Sequence, residues 1–309
     1  MKYLIITVSA IANAIISFWM GQQAYSWFPV QASAESHLID QLFSFLVVIG
    51  SFIFFGVTGA LLYSVMFHRA APNDTSDGPP IEGNVTVEVV WTVIPILLVV
   101  WIATYSYQVY DQMSIRGPME MMHLHMPKVI ESAYAAPWDF NRSQTPAPVE
   151  PIIDTNQPIH VIARQWAWEF RYPYKNVSST ELHIPANRRV HLTLQSEDVL
   201  HGFYIPAFRL KQDIIPKRTI DFEFTPIREG KYRLMDSQFS GTYFAAMDAN
   251  VVVDSLEDYQ NWLKEAANTE PAPAKNQAAT EYAASQAKPF QNGWQSVIPA
   301  APPVVNYSN

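Results

Sequence analysis

The chain has 309 residues, 49% of them hydrophobic, with 20 Lys and Arg against 28 Asp and Glu and a formal net charge of -8. That balance, with no run of Lys or Arg, excludes nucleic acid as a partner. The sequence contains no cysteine, so disulfides and thiolate metal sites are excluded and the redox compartment cannot be read from thiols.

In chain order, the first element is an apolar stretch from Tyr3 to Met20 behind Lys2. It reads either as a signal sequence, with Ala32-Ser33-Ala34 as a small-x-small cleavage site, or as a membrane helix that stays. The tripeptide lies well beyond the apolar run, which favours an uncleaved helix. From Leu42 to Phe67 no residue is charged, and the run exceeds the roughly 20 residues that cross a hydrocarbon core. A second run from Val89 to Gln108 contains Pro95, which a membrane helix tolerates when neighbours satisfy the freed carbonyl. The short polar link between the runs makes them a hairpin. Lys2 and Arg69 then face the cytoplasm, and everything after Gln108 lies outside.

Residues 111–156 form a connector punctuated by Pro118, Pro127, Pro137, Pro146, Pro148 and Pro151. Within it Met119, Met121, Met122 and Met126 interleave with His123 and His125. Thioether and imidazole together suit copper, especially the reduced ion, although methionines also fill irregular apolar gaps. From residue 157 to 255, short alternating runs such as His160–Ala163, Arg189–Leu194, Thr219–Phe224 and Asn250–Val253 predict an antiparallel β-sandwich. Ser255–Ala267 reads as an amphipathic helix. The Ala, Pro and Gln-rich remainder of the 256–309 segment is expected to be extended or disordered. The expected organisation is thus an N-terminal segment (1–37), a helical hairpin (38–110), the connector (111–156), a sandwich (157–255) and a tail (256–309).

Four motifs carry a family resemblance. These are Glu88-Val89-Val90-Trp91-Thr92-Val93-Ile94-Pro95, the aromatic run Gln165 to Tyr172, Val199-Leu200-His201, and Asp236 to Met247 preceded by Gly230-Lys231-Tyr232. In this order and spacing the chain resembles subunit II of haem-copper oxidases over roughly Asp40 to Asp254. The resemblance implies a membrane-anchored cupredoxin-like sandwich docked over a subunit I that carries the haems and the copper called CuB, with subunit III and membrane lipid as further partners.

In that family a dinuclear copper centre, CuA, is held by a His in Val-Leu-His and by Cys-x-Glu-x-Cys-x-x-x-His-x-x-Met. On that spacing Asp236 and Ser240 stand at the two cysteines, Gln238 at the Glu and Phe244 at the second His, leaving only His201 and Met247. Bridging coppers need thiolates, which hydroxyl, carboxylate and phenyl groups do not replace. No cofactor is therefore expected on this chain.

What the resemblance implies is a CuA-less quinol-oxidase type, similar to the alternative respiratory terminal oxidases of oxygenic photosynthetic bacteria. Such a complex reduces O2 to water in a bacterial inner or thylakoid membrane, with quinol and not cytochrome c as its donor. Trp166, which matches the family's electron-entry tryptophan, is expected to serve packing and to donate a hydrogen bond at the domain edge. Glu88 matches the carboxylate at the mouth of the proton pathway called the K-channel, and it is the residue expected to pass protons to subunit I. The competing explanation for Glu88 is a helix-start carboxylate favoured by the helix dipole. Two other classes stay open: the small subunit of a nitric oxide reductase, and a membrane-anchored copper module using the Met/His connector.

Overall fold

The computed structural model describes residues 2–69, 83–113, 158–287 and 297–308. They divide into two compact units, one made of Met1–Pro29 and His37–Met113, the other of Val30–Ser36 and Ser114–Asn309.

The helical unit contains α1 (Lys2–Ala24), α2 (Ala34–Phe67) and α3 (Val85–Met113). All three are long and apolar enough to cross a membrane. Their exposed Leu, Ile, Val and Phe side chains would be costly in water and suit lipid. Asn84 caps α3, its Oδ1 accepting from the Val87 amide at 3.2 Å, and Glu88 lies in the first turn. Pro95 sits inside α3, as a membrane helix allows.

The other unit is a sandwich of two five-stranded sheets. The first has the order β3-β2-β1-β5-β8, from Val177–Ser179, Ala167–Tyr172, Ile159–Arg164, Val190–Ser196 and Thr219–Phe224. The second has the order β4-β10-β9-β6-β7, from Leu182–Pro185, Asp248–Asp254, Gly230–Asp236, His201–Ile205 and Leu210–Ile214. Period-two alternation places Ile220, Phe222 and Phe224 of β8 in the core while Thr219 and Asp221 face out. Phe170, Leu192, Leu194, Phe203 and Ile205 meet them there fully buried. Each such side chain contributes about 1.5–3 kcal/mol by leaving water.

Two features differ from the sequence expectation. The sandwich is not purely antiparallel, because β1 pairs with β5 and β4 with β10 in parallel. The chain visits the other sheet between those partners, so no tight hairpin dictates their direction.

The 256–309 tail is also more ordered than its composition suggests. The amphipathic helix forms as α4 (Leu256–Ala267), capped by Ser255 and burying Tyr259, Leu263 and Ala266. Beyond it come β11 (Ala272–Pro273), α5 (Gln277–Gln286) and β12 (Val304–Val305). Small side chains let this segment lie close, as Ala274 and Ala278 are buried. Asn276 caps α5 through its Oδ1 and donates from Nδ2 to the Trp166 carbonyl at 3.1 Å. Tyr307 then pairs with β3, its carbonyl accepting from the Thr180 amide and its amide donating to Ser178.

Candidate functional site

β9 pairs with β6 and ends in Asp236, which meets His201 at the start of β6, and the loop that follows folds back over this contact. Two glycines allow the approach. A Cβ at Gly202 would collide with Ser237 Oγ, and one at Gly241, whose φ is +120°, would lie 2.7 Å from Trp166 Cζ2. Glycine tolerates that φ, where other residues are strained.

Asp236 is saturated as an acceptor. Its Oδ1 receives the Gly202 amide at 2.7 Å and the Gln238 amide at 3.0 Å. Its Oδ2 faces His201 Nδ1 at 2.7 Å and receives Ser240 Oγ–H at 2.7 Å. An ionised carboxylate offers about four lone-pair positions, and all are used. The other ring nitrogen of His201, Nε2, faces Asp198 Oδ1 at 2.9 Å. Asp198 is itself fixed by the Gln165 and Val199 amides, each at 2.6 Å.

Both imidazole nitrogens therefore face carboxylate oxygens, an arrangement that favours a proton on each and hence the imidazolium. Burial alone pulls the His201 pKa down, but hydrogen bonds to Asp198 and Asp236 outweigh it and hold the proton to higher pH than usual. Burial likewise raises both carboxyl groups, and their hydrogen bonds, led by the one to His201, bring them below the ordinary range. The His201 and Asp236 side chains are wholly buried.

The remaining members of the frame divide. Gln238 points away and donates from Nε2 to Asp213 Oδ1 at 2.9 Å. Met247 is buried in the core, and its carbonyl accepts from Trp168 Nε1 at 3.0 Å and from the Asp236 amide at 3.1 Å. Phe244 takes no part in the network and meets the exposed Phe239 edge-on, with centroids 5.1 Å apart. Trp166 is buried against Tyr243. Its Nε1 has no hydrogen-bond partner, which corrects the expected donor role.

Sequence reasoning missed Asp198, although its place three residues before His201 was the available signal. It also missed Gln165, which donates from Nε2 to the Ser240 carbonyl at 2.6 Å. Glu88 lies in the other unit, at the start of α3, where its carboxylate folds back over Gly83. The candidate copper ligands Met119, Met121, Met122, His123, His125 and Met126 lie outside the described residues. Among the described residues no group of three or more His, Cys, Asp or Glu is disposed to hold a metal ion.

Comparison with known proteins agrees along the chain. Residues 17–109 match the family model for the cytochrome C oxidase subunit II transmembrane domain, and residues 175–256 match that for its periplasmic domain. Cytochrome c oxidase subunit 2 of Synechocystis sp. is 34% identical over 282 residues, 86% of this chain and 82% of that protein. The protein of the same name from Thermostichus vulcanus is 32% identical, covering 83% of each chain. Quinol oxidase subunit 2 of Bacillus spizizenii is 25% identical over 78% of this chain and 65% of its own length. With three membrane-length helices and a sandwich outside the membrane, the chain belongs to the family of subunit II of haem-copper terminal oxidases, membrane oxidoreductase complexes of several subunits.

Proposed function

We propose that this subunit II carries no CuA and belongs to an oxidase that takes its electrons from quinol to reduce O2 to water. The carrying observation is the pairing of His201 with both Asp198 and Asp236. A copper ligand must offer a free nitrogen lone pair, and both nitrogens of this ring are engaged by carboxylates instead. The bridging positions hold Asp236 and Ser240, and no cysteine exists elsewhere in the chain. The residues present do not fit the dinuclear centre. His201, bonded through one ring nitrogen to Asp236 and through the other to Asp198, ties the loop together without a metal.

Without that relay, a cytochrome c docked on the sandwich has no metal to pass electrons through, so the donor is one that reaches subunit I directly. The names of the relatives span both donor types, and the choice rests on this chain's own residues. Membrane lipid, subunit I and subunit III are the partners, in a bacterial inner or thylakoid membrane. Glu88 supplies a titrating group at the cytoplasmic start of α3 for proton entry into subunit I. The test is the purified complex: we expect haem absorption without near-infrared or mixed-valence CuA signals, and oxygen uptake on a quinol analogue that added cytochrome c does not raise. Faster turnover on reduced cytochrome c, steeply dependent on salt, would overturn the donor assignment.

A further inference from the structure

We propose that residues 1–36 remain on the mature chain, α1 as a permanent third span and residues 30–36 as a strap built into the sandwich. Ala32-Ser33-Ala34 is then a structural seam and not a processing site. One observation in each unit carries this, and neither depends on the electron donor.

In the helical unit, α1 presents Asn13, Ser17 and Gly21 at intervals of four, on one face of a helix. Ser17 is wholly buried. Asn13 Nδ2 donates to the Phe52 carbonyl of α2 at 2.9 Å. Ser44 Oγ of α2 donates back to the Gly21 carbonyl at 2.8 Å. A Cβ at Gly21 would collide with Val48 Cγ2 and lie 3.1 Å from the Ser44 carbonyl oxygen, so the two backbones approach as closely as glycine permits. Small residues at the contact with polar groups bonded across it are how membrane helices associate. A leader destined for removal has no use for an asparagine matched to a carbonyl of the next helix.

In the sandwich unit, the strap runs between the turn after β6 and the turn after β8. The Ala32 amide donates to Ala207 at 3.0 Å, and the Ala32 carbonyl accepts from Ile227 at 2.9 Å. Ser33 bridges Pro226 in antiparallel fashion, and its Oγ donates to the Phe208 carbonyl at 3.0 Å. The Ala34 amide donates to Thr225 at 2.9 Å, whose own amide donates to Glu35 Oε1 at 3.1 Å. Ala32 and Ser33 are wholly buried. Cutting after Ala34 would strip the partners from Ala207, Phe208 and Ile227 and leave buried backbone groups unpaired, which native proteins avoid.

Two measurements on the complex purified from its native membrane test this. Mass spectrometry of the subunit should recover peptides from residues 4–36, and a mature N-terminus at Glu35 would overturn the proposal. Hydrogen exchange should find the Ala32, Ala34 and Ile227 amides protected to the same degree as those of β8. Exchange at the unprotected rate in an intact chain would overturn the strap even where the helix is retained.

Discussion

Asp236 Oδ2 and His201 Nδ1 lie 2.7 Å apart inside the sandwich, both side chains wholly buried, with Asp198 closing on the far side of the ring. This pair ties the end of β9 to the start of β6, beside the register contact of the two strands. Removing Asp236 leaves buried His201 with Asp198 alone and takes the acceptor from the Gly202 and Gln238 amides and the Ser240 hydroxyl. Asp236→Ala should therefore destabilise the sandwich by about 3–5 kcal/mol. Met247→Leu, a swap of similar volume in the same core, should cost less than about 1.5 kcal/mol. Chemical denaturation of both variants checks the contrast, and equal losses would deny the pair its structural role.

The protonation of this network gives stability a defined pH dependence. His201 holds its proton more tightly when folded, so its contribution is fully present below about pH 6.5, its ordinary value, and is lost as pH rises through the raised folded value. Asp198 and Asp236 are shifted down, so their contribution is present above about pH 4 and is lost as pH falls through the lowered folded values. Stability should peak between these limits. Burial also lowers the pKa of His183, but Asp254 and Glu181 override it and raise it, so His183 adds a second alkaline loss. The His201 share is therefore read as a difference: His201→Gln should be less stable near pH 6 and should decline less steeply than the parent toward pH 9. Parallel curves would refute the imidazolium.

Much of this was legible in the sequence, for physical reasons that can be named. The runs from Leu42 to Phe67 and Val89 to Gln108 became α2 and α3 because length and uniform apolarity leave few alternatives. β8 lies where Thr219–Phe224 was expected because its alternation is strict. The positions Asp236, Gln238, Ser240 and Phe244 could be laid on the family's spacing because spacing survives substitution. The hydrogen bonds around those positions were not legible, since Asp198 and Gln165 reach His201 and Ser240 through folding and not through periodicity. The tail misled for a related reason: a few small buried residues, one Asn276 cap and a β3 edge hold it, and composition averages over such features.

If the loop keeps the geometry of a metal site, its ligands can be put back. The combined variant Asp236→Cys, Gln238→Glu, Ser240→Cys and Phe244→His restores the thiolates and the second imidazole, and it frees His201 Nδ1 from its carboxylate. Copper added to this variant should give thiolate-to-copper charge-transfer absorption, because thiolate is the soft ligand that the parent lacks. The parent treated alike should give none. Silence from the variant, with its fold intact by circular dichroism, would mean that the loop has lost more than its ligands.

Glu88 offers the sharpest functional test because its two explanations predict different observables. If the carboxylate feeds protons into subunit I, Glu88→Gln keeps size and hydrogen-bonding atoms but removes the titrating group. Oxygen uptake per haem should then fall while haem content and the amount of assembled complex stay near those of the parent. If Glu88 only favours the start of α3, loss of its charge should cost about 0.3–1 kcal/mol of helix stability and leave turnover per assembled complex unchanged. Asn84 already caps that helix through the Val87 amide, so the α3 start survives the substitution and assembly is a fair control. Turnover measured across pH separates the cases further, since a lost proton donor limits the rate most where protons are scarce. The deficit should therefore widen as pH rises, and a variant matching the parent at every pH would leave Glu88 with the helix start alone.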